Sequence, residues 1–189
     1  MLPKTRPESP VSLRPRRFSG EQPRVAPSVP PPFLDGVPKL WLAQLGQQLL
    51  LNDEDQDTGV LAIHLANVPA AVLEHGSFVG HRAMTAAHDI VAEAVRSNGG
   101  STRYRSYDLL AFLGSTRHNS VLTEVERILD RLGNLTFRSG ERTFGPKPIV
   151  GFVRFAEDTT HDKHRLVMRS LERLERAKTL GRMSCFTDA

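Results

Sequence analysis

Cysteine, aromatic residues and long apolar runs are all scarce in this sequence, and each scarcity excludes a class of protein. The single cysteine, Cys185, excludes a disulfide framework and favours a reducing, cytoplasmic compartment. No segment approaches the roughly 18 uninterrupted apolar residues that a membrane-spanning helix needs. The basic N-terminus lacks the apolar core of a secretory signal, so we expect none. With 189 residues and 6% aromatics, the chain is suited to one domain with an aliphatic core.

Positive charge is concentrated at the N-terminus, and the rest of the chain is neutral. Residues 1–40 contain seven basic and three acidic residues, whereas the remainder contains 18 of each. Ten of the thirteen prolines also lie in residues 1–38. A proline-rich segment without apolar periodicity cannot bury enough surface to fold. We therefore predict a disordered basic tail at 1–37, either a docking arm or an extension without a role. Because the remainder is neutral, nucleic-acid binding is not favoured.

Residues 38–57 change character and predict an N-terminal helix followed by an acidic turn. Trp41 and six leucines fall within residues 38–51, and four of residues 52–57 are acidic. A helix this apolar has to bury one face. Two arrangements are open: the helix packs on the main domain, or it packs on a second copy of the chain in a homodimer.

Residues 58–183 predict one domain of alternating strands and helices, followed by a C-terminal tail at 184–189. Continuous apolar runs indicate buried strands at 60–65, 109–113 and 149–155. Apolar residues at helical spacing indicate helices at 68–75, 80–97, 117–132 and 164–180. Residues 101–114 predict a β-hairpin with a charged tip at 105–108. This order predicts an α/β (α+β) fold, a ferredoxin-like palm with a central mixed sheet flanked by helices.

Other constellations that carry chemistry are weak. His81 and His88 lie two helical turns apart, and His161 and His164 one turn apart, without a cysteine or carboxylate partner at a persuasive spacing. Metal sites need ligands that converge from several elements, so surface histidines are the better interpretation. Cys185 has no obvious histidine partner, so a catalytic thiol is not expected. The sequence therefore predicts no metal and no cofactor.

The closing motif and the order of the elements point to a known family. Residues 177–182 read AKTLGR, which matches the A-K-x-x-G-R at the end of the last helix in GGDEF domains. The hairpin tip and the residue after it, 105–109 (RSYDL), fall where that family has G-G-D-E-F. Over about residues 59–182 the chain resembles the GGDEF family, diguanylate cyclase domains that make cyclic di-GMP from two GTP molecules. The resemblance implies the fold of that family.

The same resemblance implies that the family's chemistry is missing here. His64 stands where the first strand of active members ends in a Mg²⁺-holding aspartate, and Val72 and His81 stand where an asparagine and an aspartate recognise guanine. In the signature, Tyr107 replaces the aspartate, and Asp108 replaces the catalytic glutamate. Phosphoryl transfer of this kind relies on metal ions held by several carboxylates. We therefore expect an inactive, degenerate GGDEF domain, not an enzyme.

The family's product-inhibition motif, R-x-x-D, is only half present. Arg96 matches its arginine, and a glycine replaces its aspartate, which disfavours tight cyclic di-GMP binding. The leading hypothesis is a bacterial, cytoplasmic interaction or regulatory module in cyclic di-GMP signalling, controlling exopolysaccharide, motility or polarity. The alternative is a non-catalytic sensor of cyclic di-GMP or another nucleotide. The candidate contacts with a ligand or protein partner are Arg96, Arg103, Arg105, Tyr107 and Asp108.

Overall fold

The computed structural model of the chain describes residues 36–51, 57–114, 120–139, 141–157, 162–181 and 184–185. Its helices are α1 (Lys39–Leu50), α2 (Val68–His75), α3 (Ser77–Val95), α4 (Val121–Gly133) and α5 (Lys163–Thr179). Its strands are β1 (Thr58–Leu65), β2 (Gly99–Arg105), β3 (Asp108–Gly114), β4 (Phe137–Ser139), β5 (Arg142–Phe144), β6 (Pro148–Arg154) and β7 (Ser184–Cys185). Most of the predicted tail (1–35) and most of the acidic turn (52–56) lie outside these residues. Within the described part, no helix combines the length and apolar character needed to cross a membrane.

The main sheet has the strand order β2-β3-β1-β6-β7, and β4 and β5 form a separate hairpin. Each neighbouring pair among the first four strands is antiparallel, because the crossovers from β1 to β2 and from β3 to β6 each skip one strand of the sheet. This arrangement confirms the predicted ferredoxin-like palm. The sheet is mixed only through β7, which pairs in parallel with β6. Ser184 and Cys185, which the sequence placed in the C-terminal tail, therefore belong to the sheet.

Both faces of the sheet are covered, so the central strands contribute to two hydrophobic cores. All seven residues of β3 are buried, as predicted for a central strand. Their side chains alternate between the faces. Leu109 and Leu113 join the core beneath α3 and α4, whereas Leu110 and Phe112 join the core beneath α1 and α5. The alternation fixes which residues at the strand ends point toward each layer.

Helix α1 packs one face on the domain, the first of the two arrangements open for this apolar helix. Trp41 is 3% exposed, and its ring makes an edge-on contact with Phe112, with centroids 5.4 Å apart. The indole N–H of Trp41 also donates to the Gly100 carbonyl at 3.2 Å. Leu40 and Leu50 on the outer side remain exposed. A homodimer through this outer side remains a prediction.

Two helices begin three or more residues from their predicted positions. Helix α3 begins at Ser77 rather than at residue 80, because Gly76, at φ +86, completes the turn between α2 and α3 by itself. Gly80 lies inside α3, and a Cβ there would overlap the Cγ2 of Val72 on α2. Helix α4 begins at Val121 rather than at residue 117, because the Ser120 hydroxyl caps its first turn.

Candidate functional site: the end of β1 and the hairpin tip

The positions that resemble the GGDEF active site come together where β1 ends and the β2–β3 hairpin turns. Strands β1 and β3 are antiparallel neighbours, and their register sets His64 directly opposite Asp108. The two-residue turn at Ser106 and Tyr107 lies beyond this pair. The hairpin itself is confirmed, because β2 ends at Arg105 and β3 begins at Asp108, within the predicted tip at 105–108.

His64 and Asp108 form a closed, hydrogen-bonded pair within this site. The Nδ1 of His64 lies 2.6 Å from the Oδ1 of Asp108. An ionised carboxylate only accepts hydrogen bonds, so the His64 Nδ1–H is the donor. The side chain of Asp108 is 7% exposed and that of His64 is 20% exposed. Asp108 was expected at an exposed tip, but it is the first residue of a strand between two others and lies beneath the tip.

An ammonium group, that of Lys178 on α5, approaches the same carboxylate. The Nζ of Lys178 lies 3.8 Å from the Oδ1 of Asp108 and 2.9 Å from the carboxylate of Glu175. Sequence reasoning matched Lys178 only to the closing motif of the last helix. The charge of Asp108 is therefore met by an imidazole on one strand and an ammonium group on the facing helix.

These side chains do not fit the Mg²⁺ ions that a diguanylate cyclase fold implies. Mg²⁺ binds through hard oxygen ligands such as carboxylates, carbonyls and water. Here the cross-strand position offers one carboxylate, already bonded to His64 and close to the ammonium of Lys178. Among the described residues, no three His, Cys, Asp or Glu side chains are grouped so that they could hold a metal ion.

A narrow cleft beside the tip collects the other positions that the resemblance singled out. Its lining includes Val72 on α2, His81 on α3, and Ser106 and Tyr107 of the turn. These are the equivalents of both guanine-recognising residues and of two signature residues. The cleft measures about 190 Å³, below the range of about 300–1,000 Å³ typical of ligand pockets. Hydrophobic Val72 and Met84 form part of its wall, where guanine recognition would need polar groups.

The three candidate arginines do not converge on one ligand position. A β-bulge between Arg103 and Arg105 breaks the register of the β2–β3 ladder and separates their directions. Arg103 donates to the Thr85 hydroxyl on α3 at 2.8 Å. The guanidinium of Arg105 instead lies over the Tyr104 ring, 4.9 Å from its centroid, and lines a groove beside α5.

Arg96 lies apart from Arg103 and Arg105, at the C-terminal end of α3. Its neighbour Glu93 bonds to Arg131 on α4 with an N–O distance of 2.5 Å. The hydrogen bond and charge of Arg131, with smaller contributions from Arg96 and Arg127, hold the pKa of Glu93 below its ordinary value of 4.5. Arg96 therefore belongs to an exposed charge network between α3 and α4. This network, rather than a shared nucleotide site, accounts for its surroundings.

Asn67 fixes the loop after β1 through its side chain. It occupies the N-cap position of α2 without making the capping bond. Its side chain instead donates to the Gly145 carbonyl and accepts from the Lys147 N–H at 2.7 Å. Ala66 reinforces this link through a backbone bond to the Lys147 carbonyl at 2.9 Å. The loop after β1 is thereby fixed to the segment before β6.

The groove beside α5 was also missed by the sequence analysis. It measures about 430 Å³ and is lined by Arg105 and four residues of α5, Met168, Leu171, Glu172 and Glu175. The four fall on one helical face because they are spaced three, one and three residues apart. That spacing was visible in the sequence, but only the bulge at Arg105 shows that the hairpin completes the groove.

This arrangement is the fold of a GGDEF domain, the domain of diguanylate cyclases. The chain is similar to the GGDEF domain of DgcB from Caulobacter crescentus in complex with cyclic di-GMP (TM-score 0.66, 13% identity, covering 78% of this chain and 88% of that one). It is also similar to the active GGEEF domain of a diguanylate cyclase from Vibrio cholerae (TM-score 0.65, 19% identity, covering 80% and 96%).

A third similar structure contains a partner protein. The diguanylate cyclase SiaD from Pseudomonas aeruginosa, in complex with its activator SiaC, has a TM-score of 0.66 and 19% identity, covering 78% of this chain and 56% of that one. No family model and no curated protein sequence matches the chain. The likeness therefore rests on the arrangement of helices and strands, and it establishes a GGDEF-like fold.

Proposed function

We propose that this chain is a catalytically inactive GGDEF-like domain that acts as an interaction or regulatory module in bacterial cyclic di-GMP signalling. It works in the cytoplasm and exerts its effect by binding a protein rather than by converting GTP. The control of exopolysaccharide, motility or polarity is the process in which we expect it to act.

The observation that carries the proposal is the closed pair of His64 and Asp108. At the equivalent positions, active GGDEF domains have a metal-holding aspartate on the first strand and a catalytic glutamate in the signature. Here the two strands present an imidazole and a carboxylate that bond to each other at 2.6 Å. Opening this pair to admit a cation would sacrifice a hydrogen bond to the Asp108 carboxylate and would leave the His64 imidazole beside the incoming cation. The pair stabilises the end of the hairpin without any metal.

The surface around the cleft supports a protein partner. Leu73 on α2 is 89% exposed and Phe78 on α3 is 71% exposed, and each adjoins a residue of the cleft wall. The basic side chains of Arg82 and Arg103 are exposed on the same side. Exposed apolar side chains beside charged ones are typical of an interaction surface. Tyr107, half-buried at the tip, adds an aromatic contact.

The test is a turnover assay that uses the Vibrio cholerae GGEEF domain as positive control. With GTP and Mg²⁺ or Mn²⁺, we expect the control to make cyclic di-GMP and this chain to make none. Calorimetry with cyclic di-GMP should give no heat at high micromolar ligand, since the arginines are separated. Formation of cyclic di-GMP that disappears in the Asp108→Asn variant would refute inactivity, and heat of binding would favour the sensor alternative.

The interaction itself is tested by co-purification from the native host. Leu73→Ser/Phe78→Ser should lose a partner that the wild-type chain retains. Leu180→Ser, which also removes an exposed leucine (53%), is the matched control because it lies at the end of α5. Equal loss in both variants, or loss in neither, would contradict a binding surface at the cleft.

A further inference from the structure

The groove beside α5 has the properties of a docking site that the proposed function does not use. Its wall is formed by Met168 and Leu171, and Glu172 and Glu175 lie exposed at its edge. Methionine and leucine adapt well to apolar side chains of irregular shape. Its volume of about 430 Å³ falls within the range of about 300–1,000 Å³ found for binding pockets. The groove faces away from the cleft, on the layer formed by α1 and α5.

The described part of the chain begins next to this groove. Val37 is buried in the same core as Tyr104, and a Cβ at Gly36 would lie 3.9 Å from the Tyr104 ring. The groove residue Arg105 lies over that ring and bonds to the Tyr104 hydroxyl at 3.2 Å. Gly36 has a φ of +99°, which allows a sharp change of direction immediately before α1. The N-terminal segment therefore enters the domain beside the groove.

We propose that the groove binds the chain's own residues 30–34, Pro-Pro-Pro-Phe-Leu. Leu34 is two residues before Gly36, and the five residues span at most about 17 Å when extended, so the reach is sufficient. Proline-rich segments bind apolar grooves at low entropic cost because their extended conformation is restricted beforehand. Phe33 and Leu34 supply the apolar side chains that the wall of Met168 and Leu171 accepts.

Connectivity favours this segment over a separate partner. Residues 30–34 carry no charge that would oppose the two glutamates at the edge of the groove. A directly connected segment also acts at an effective concentration in the millimolar range, so a free peptide would compete poorly. This docking concerns a different surface from the cleft and does not depend on whether the domain converts GTP.

The experiment measures paramagnetic broadening in the full-length chain. A nitroxide spin label is attached at Ser28→Cys in a Cys185→Ser background, two residues before the docking segment. We expect the amide signals of residues 168–175 to lose most of their intensity, while those of α2 on the opposite layer keep theirs. Phe33→Ser/Leu34→Ser should restore the α5 signals. Phe18→Ser, which removes an aromatic residue elsewhere in the same tail, should leave the broadening unchanged.

A mixed sample separates the possible occupants. Spin-labelled protein without isotope label is combined with isotope-labelled protein that carries no spin label, and docking within one chain predicts no broadening. Broadening in the mixed sample would mean that a second copy fills the groove, which overturns the proposal. Absent broadening in the first sample, or broadening that survives Phe33→Ser/Leu34→Ser, would also overturn it.

Discussion

The pair of His64 and Asp108 makes a quantitative prediction about the stability of the domain. His64→Ala leaves a carboxylate that is only 7% exposed, with Lys178 Nζ at 3.8 Å as its remaining counter-charge. Removing one partner of a buried pair typically costs about 3–5 kcal/mol, and we expect the lower end because Lys178 compensates. Asp108→Ala leaves the more exposed imidazole, so the loss of its charged hydrogen bond should cost about 1.5–3 kcal/mol.

The double variant His64→Ala/Asp108→Ala completes a double-mutant cycle and gives the coupling free energy between the two side chains. If the two groups mainly satisfy each other, removing both should cost less than the sum of the single changes by about 1–3 kcal/mol. Urea unfolding at pH 7, followed by circular dichroism, gives the free energy of unfolding for each variant by linear extrapolation. The denaturant slope should stay constant across the four proteins, since the surface exposed on unfolding hardly changes.

An exposed salt bridge provides the control for this double-mutant cycle. Arg142 and Glu74 lie 3.5 Å apart with side chains 75% and 59% exposed, so their coupling should be within about 0–1 kcal/mol. A coupling between His64 and Asp108 below about 0.5 kcal/mol would refute the reasoning. In that case the Asp108 carboxylate would be available to a cation or a ligand, and the contact with His64 would not account for inactivity.

Two further predictions concern packing and titration. Gly80→Ala should lower the free energy of unfolding, measured in urea titrations, by about 1–3 kcal/mol, because its Cβ would overlap Val72. Gly133→Ala is the control, since a Cβ there meets no atom within 4 Å. It should change the free energy of unfolding by less than about 1 kcal/mol. Glu93 should titrate below 4.5 by NMR, and Arg131→Gln should raise its pKa toward that value. Because the folded pKa is the lower one, the contribution of Glu93 to stability is present above pH 4.5 and is lost as the pH falls through the folded pKa.

The strands and most helices could be predicted because their signals are local. The apolar run at 109–113 lies within β3, and the stripe of α5 differs by one residue at each end from the prediction of 164–180. Helix periodicity and continuous apolar runs report burial directly, whatever the strand order is. The ferredoxin-like order then followed from the sequence of elements, because a hairpin between two crossovers leaves few arrangements of the sheet.

The site could not be predicted in the same way, because its contacts join distant residues. His64 and Asp108 are 44 residues apart, and Asn67 and Gly145 are 78 apart. Whether His64 faces Asp108 depends on the register of two strands, and a shift by one residue would change the face of every side chain. The irregularity before Arg105 is such a local shift in register, and the sequence of β2 contains no signal that predicts it. Arg103 and Arg105 are near in sequence and point in different directions for this reason.

The same structure explains why a GGDEF-like fold can persist without the residues of the GGDEF signature. Some positions are restricted by packing alone: a Cβ at Gly59 would overlap the Phe152 ring, and one at Gly151 would overlap the backbone of α5. The palm depends on these close approaches whether or not it holds a metal. The residues of the tip carry no such restriction, since Ser106 is exposed and Tyr107 only half-buried. The cross-strand pair behind them is held by its own hydrogen bond, because the Nδ1 of His64 lies 2.6 Å from the Oδ1 of Asp108. Fold and chemistry therefore depend on different residues, and the chemistry has to be read from that pair.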